Sequence, residues 1–346
     1  MENKREDEHV INQIVDALDE IAMLHYYGSI DEETENTDVT NYNKERPTTH
    51  FYESLFAIID YFLEDKPLYV SEEVKKQIDE KLSAFQQMIE THAVNSEEMR
   101  RALLLLDIKA FKNINFPLDL ITPDAVGLIF ARCIDAYFKR QKQIVVLDNN
   151  FGTGNLMFAI QNHTQVDIQM IGMDNHALFA QVAVHKANMM MVELDMYYQD
   201  ALEFPIDGVD AMVSDIAHYR YENENYHSEL YDQGVRYFPY LLIEHFFLTS
   251  SSRIGFYLIN NSFFSQEKND VFSQYVKKHG QILALITLPI QMFVTPEEAK
   301  SILIVSNEPS HQSEMHIFML PESNDKPRFF EKLKEIEVFL EESRGK

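Results

Sequence analysis

Four aspartates lie where four apolar runs stop: Asp148 after Ile144-Val145-Val146-Leu147, Asp174 after Met170-Ile171-Gly172-Met173, Asp200 just past Tyr197-Tyr198, and Asp215 after Ala211-Met212-Val213-Ser214. A carboxylate at a strand end accepts hydrogen bonds from a ligand amine or hydroxyl, and its two oxygens suit the paired hydroxyls of a ribose. Between the first two lies Asn149-Asn150-Phe151-Gly152-Thr153-Gly154-Asn155, followed by an amphipathic segment from Leu156 to Ile160. The pattern predicts strand, tight turn and helix, with glycines that let the backbone pass close to a bound molecule. The nicotinamide-cofactor fingerprint needs a third small residue where Met157 stands, and the phosphate-loop Gly-Lys-Ser/Thr is absent. Taken singly, Asp174 and Asp200 also suit turns or helix caps. Carboxylates at three successive strand ends, Asp148 included, describe a small-molecule cradle.

The elements that must position these groups alternate. Strands are expected at residues 168–173, 193–198, 209–214 and 254–260, with helical segments near 176–190, 231–249 and 266–279, which predicts a parallel sheet covered on both faces. Ile282 to Leu288 and Ser301 to Val305 are joined by a segment too short for a crossover helix, so they predict an antiparallel pair at the sheet edge. Met315 to Leu320 is a further edge strand, and 327–342 a terminal helix. Upstream, Thr122 suits a helix cap, Pro123 the first helical position and Asp124 the positive end of the helix dipole.

Before the linker at Pro117 the pattern is helical: residues 8–27, His50 to Leu63, Ser71 to Thr91 with Ser71 as cap, and a helix from Ser96. The polar, acidic stretch 28–50 is expected to be a long loop. The expected domains are a helical one over 1–115 and an α/β one over 116–346. Nothing in the helical part suggests chemistry, although its acidic surface could meet a protein partner.

Composition restricts partners. The 346 residues carry 30 Lys and Arg against 56 Asp and Glu, a net charge of −26. Nucleic-acid binding draws on cations that neutralise phosphates, so this balance opposes it unless the cations gather on one face. The best cluster, Lys139, Arg140 and Lys142, precedes the first strand and so falls at the sheet edge away from the ligand site. One cysteine, Cys133, excludes a disulfide framework and multi-cysteine zinc sites, and no metal site is expected. No apolar run has membrane-spanning length and the start, MENKREDEHV, is charged, so a soluble, cytoplasmic protein is expected.

The run Asp148-Asn149-Asn150-Phe151-Gly152-Thr153-Gly154-Asn155 resembles motif I of the class I S-adenosylmethionine (SAM) dependent methyltransferases, in the form typical of N6-adenine DNA methylases, with Asn149 where that family usually has Pro. The region 115–310 is similar to the stand-alone YtxK-type proteins of that group. The resemblance implies a Rossmann-like seven-stranded sheet with an antiparallel edge strand. It implies SAM as cofactor, lined by Thr122 (motif X), Asp148, Phe151, Gly152, Thr153, Gly154, Asn155, Asp174, Asn175, Asp200 and Ala201. Asp200-Ala201 resembles motif III, whose Asp accepts from the SAM adenine amine.

The family's Asn/Asp-Pro-Pro-aromatic motif corresponds to Asp215-Ile216-Ala217-His218-Tyr219. By resemblance, Asp215 and the Ile216 carbonyl accept from the acceptor amine, and His218 or Tyr219 stacks on a flipped base. Both prolines are absent, so the loop is expected to lose preorganisation and methyl transfer to be slow or absent. About 40 residues follow the last strands, too few for a separate DNA-recognition region. The alternatives are a scaffold that keeps the fold without catalysis, and a methylase of a protein or small molecule.

Overall fold

Five strands, each followed by a connection long enough to cross back over the sheet, pair side by side in parallel: β1 (Gln143–Asp148), β2 (Asp167–Asp174), β3 (Leu194–Tyr198), β4 (Ala211–Asp215) and β5 (Ile254–Asn260). Then come β6 (Gln281–Thr287), β7 (Lys300–Ser306) and β8 (His316–Met319), giving the order β3-β2-β1-β4-β5-β7-β6-β8. The computed structural model describes residues 2–29, 49–114, 116–248, 253–308, 315–322 and 324–344. Most of the acidic stretch expected to be a loop, residues 30–48, lies outside these.

The sheet has the seven strands that the resemblance implies and an eighth, β8, which falls within the further edge strand expected at Met315 to Leu320 and pairs parallel to β6. The reversed strand β7 is antiparallel to both β5 and β6 and lies between them, two strands in from the edge strand β8. Every residue of β7 is buried, and a strand shielded on both faces carries the continuous apolar run seen in its sequence. Because β7 runs backwards, its first residue, Lys300, arrives at the edge where β1 to β5 end.

Two compact units make up the chain: Met1–Leu118 with Gln181–Glu193, and Asp119–Ala180 with Leu194–Lys346. The first contains helices Glu2–Gly28, Thr49–Glu64, Glu72–Thr91 and Ser96–Ile114, whose apolar stripes (Ile14, Leu18, Ile21, Phe51, Leu55, Ile59) are buried. Ser71 caps its helix as expected, accepting from the Val74 amide. The segment 181–193 joins this unit through Lys186, whose ammonium lies 2.6 Å from Asp107, itself bonded by the Tyr52 hydroxyl.

In the second unit the expected helix 231–249 is two helices, Glu229–Asp232 and Phe238–Leu248, because Gly234 takes φ +88° and turns the chain. Helix Asp124–Tyr137 crosses helix Asn155–His163 where a Cβ on Gly127 would lie 2.6 Å from the Ala159 Cβ. That close approach holds Thr122 near the turn. β1 has β2 on one side and β4 on the other, the reversal of strand order at which open α/β sheets form a crevice.

Candidate functional site

At that crevice the turn after β1 adopts positive φ at two glycines, +58° at Gly152 and +78° at Gly154. A Cβ on Gly152 would meet nothing within 4 Å, so the turn is open there. A Cβ on Gly154 would lie 2.4 Å from the Phe158 ring and 2.6 Å from that of Phe151. Phe151 is buried beneath the turn, its amide donating to the Met173 carbonyl and its ring packing under Gly154. Thr153 and Asn155 are also buried, and the Asn155 amide donates to the Thr122 carbonyl.

Asp174 receives the Gly152 and His176 amides, one on each oxygen, both at 2.8 Å. Burial pushes its carboxyl above the usual range, while those bonds pull it back. Each oxygen keeps a lone pair. Asn175 beside it is exposed. Asp148 is 1% exposed; burial pushes its carboxyl up to about 7, opposed by bonds from the Asn150 amide and the Ser214 hydroxyl. Asp174 and Asp215 push it in the same direction as burial. An additional positive charge at this spot would favour its ionised form. Asp200 is half-buried, accepting from the Leu202 amide at 2.9 Å and the Tyr221 hydroxyl at 3.1 Å, with Ala201 buried beside it.

Asp215 is held from two sides. The Thr122 hydroxyl donates to one oxygen at 2.8 Å and the Lys300 ammonium to the other at 2.5 Å. Thr122 therefore does not cap its helix: Pro123 occupies the cap position without a side-chain bond, and Thr122 reaches across to β4 instead. Lys300 is a site residue that the strand pattern alone did not reveal.

The loop after Asp215 is not loosened by the missing prolines. The Ile216 amide donates to the Leu258 carbonyl at 3.1 Å and its side chain is in the core. The Ala217 amide donates to the Asn150 side chain at 2.8 Å, and the Phe238 amide to the Tyr219 carbonyl at 3.0 Å. Proline has no N–H and could make neither of the first two bonds. Asn149, standing where Pro is usual, shares the Ser214 hydroxyl with Asp148 and so ties β1 to β4. Tyr219 stacks on Phe238 with ring centroids 4.4 Å apart and remains 41% exposed; His218 bonds the Tyr237 hydroxyl. A cavity of about 320 Å³ opens here, lined by His218, Tyr219, Arg220, Tyr237, Asn260, Ser262 and Gln266.

A sheet of order 3-2-1-4-5-7-6 extended by one strand, with a glycine turn after β1 and carboxylates at the ends of β1, β2 and β4, defines a class I methyltransferase fold. The chain belongs to the N-6 DNA Methylase family, whose sequence profile matches residues 119–339. It is 28% identical over 239 residues to YtxK of Bacillus subtilis (strain 168), across 66% of this chain and 71% of YtxK. A structure from Listeria monocytogenes, assigned as a class I S-adenosylmethionine-dependent methyltransferase, superposes with TM-score 0.74 at 21% identity over 96% of this chain and 99% of that one. The type I restriction-modification methyltransferase subunit of Streptococcus thermophilus gives 0.57 at 12% identity, over 97% and 93%. At these identities the two structures speak to fold alone. Among the described residues no helix is long and apolar enough to cross a membrane, and no group of three or more His, Cys, Asp or Glu could hold a metal ion.

Proposed function

We propose that this methyltransferase-family chain binds SAM across the ends of β1 to β3 and presents an acceptor amine to Asp215. The observation that carries the reading is the open face of Gly152, whose amide is tied to Asp174: a cradle that a side chain would fill, next to a two-oxygen acceptor. Asp174 takes the ribose hydroxyls, Asp200 the adenine amine, and Asp148 and Thr122 lie toward the amino-acid end. SAM supplies an electrophilic methyl group. Asp215, with the Ile216 carbonyl beside it, accepts from the amine that receives it.

The loop is preorganised, so the limit on rate lies elsewhere. Asp215 already shares its oxygens with an ammonium and a hydroxyl, and a carboxylate so engaged polarises an amine less. We expect slow transfer to adenine N6. The same observation favours a second reading, a SAM-binding protein without transfer. Calorimetry tests the site: wild type binds SAM, and Asp174→Ala weakens binding by about 1.5 to 3 kcal/mol through loss of a charged hydrogen bond. Equal affinity in both proteins would discard this site.

Duplex DNA is expected to bind weakly at physiological salt. Besides the net charge, several surface cations are already paired: Lys139 with Glu341, Arg132 with Glu337, Lys278 with Glu229 and Arg220 with Glu222. A filter-binding or anisotropy titration at about 150 mM salt should find no submicromolar complex; one that tight would reveal a basic surface able to release counterions.

A further inference from the structure

Lys300 is the first residue of β7 and pairs with Asn260 of β5, while Asp215 of β4 pairs with Leu258, two residues earlier on β5. Cross-strand partners share a face, as do residues two apart on one strand. Asp215, Asn260 and Lys300 therefore point to the same side at the edge where β1 to β5 end. The Lys300 and Asp215 side chains are only 10% and 12% exposed. An ion pair this shielded returns little net stability, because desolvating two charges offsets their attraction, so folding alone does not explain its position.

Its hydrogen-bonding capacity is unspent. An ammonium has three protons, and among the described residues the one recorded bond from Lys300 goes to Asp215. The Asp215 carboxylate has about four acceptor positions, and Thr122 and Lys300 fill two. A spare donor and a spare acceptor thus sit side by side on a pair with no net charge, with the Asp148 carboxylate near enough for Asp215 to act on it. An anionic acceptor molecule would be repelled there. A neutral molecule with an amine next to an unprotonated ring nitrogen is complementary. The nearby cavity suits a flat ring: the Tyr219 ring has one face on Phe238, and Asn260, Ser262 and Gln266 supply polar walls.

We propose that Lys300 is a specificity-determining residue which, beside Asp215, reads the –N=C–NH2 edge of an aminated heteroaromatic base, Asp215 accepting from the amine and Lys300 donating to the adjacent ring nitrogen. This rests on the SAM-site reading above, because it places the amine beside the methyl donor. Adenine and cytosine both carry the edge.

The experiment titrates the protein, first saturated with S-adenosylhomocysteine so that the cofactor site is closed to nucleosides, with adenosine, 1-deazaadenosine, cytidine and 3-deazacytidine, following binding by NMR. Whichever natural nucleoside binds should bind about tenfold to a hundredfold tighter than its deaza counterpart, which lacks only the ring nitrogen. A preference for adenosine assigns the purine, and for cytidine the pyrimidine. Lys300→Met should bring each pair within about twofold with S-adenosylhomocysteine affinity unchanged, and Lys300→Arg should keep part of the discrimination. Equal binding of natural and deaza nucleosides by wild type, or binding of none, overturns the proposal, and this comparison stands even if Lys300→Met does not fold. Failure of wild type to bind S-adenosylhomocysteine instead overturns the cofactor-site reading.

Discussion

Replacing Ile216 and Ala217 together by proline, the pair usual in this family, is expected to destabilise the chain by about 3 to 9 kcal/mol and to restore no methyl transfer. Proline at 216 removes the amide that donates to Leu258, and proline at 217 removes the one that donates to Asn150. Each orphaned acceptor costs about 1 to 3 kcal/mol, and exchanging the fully buried Ile216 side chain for a smaller ring leaves a void of similar cost. Urea unfolding should show a lower midpoint with an unchanged slope. A double variant as stable as wild type, with transfer to adenine gained, would mean that the loop tolerates proline geometry and that the bonds seen here do not hold it.

Gly154→Ala should cost about 2 to 5 kcal/mol and abolish SAM binding. At φ +78° a side chain carries a penalty of about 1 to 2 kcal/mol, and its Cβ would collide with the Phe151 and Phe158 rings, which must move at a further cost of about 1 to 3 kcal/mol. Gly152→Ala provides the contrast. It carries the same backbone penalty at φ +58°, but its Cβ meets open space. It should therefore fold with a small loss and still bind SAM poorly, because the added methyl occupies the cradle. Thermal melts and calorimetry on both variants separate folding from binding. Gly154→Ala with wild-type stability would show that the rings beneath the turn are not packed as described.

The strand-end carboxylates were legible because each depends on local pattern: an apolar run stops and an aspartate follows, at Asp148, Asp174 and Asp215. Asp200 follows its strand in the same way. The parallel order followed from the alternation of strands and helices. What escaped depends on register and on contacts distant in sequence. Lys300 precedes a run that was legible as a strand, but its arrival at the ligand edge follows only once β7 is seen to run antiparallel beside β5. A lysine opening a reversed strand was the available signal. The loop after Asp215 looked weakened because losing proline is visible in the sequence, whereas the compensating bond from Ala217 to Asn150 joins residues 67 positions apart. Thr122 looked like a cap because its local sequence suits one, and a carboxylate 93 residues away takes its hydroxyl instead. Likewise, Lys186 sits in a helix whose apolar pattern does not reveal that its partner is Asp107.

A crystal structure of the chain with S-adenosylhomocysteine tests whether the glycine turn and the strand-end aspartates hold SAM. The ribose hydroxyls are expected within hydrogen-bonding distance of Asp174, the adenine amine on Asp200, and the amino-acid end passing over the open face of Gly152 toward Thr122. A ligand bound elsewhere, or none at this crevice in crystals grown at saturating concentration, would contradict it.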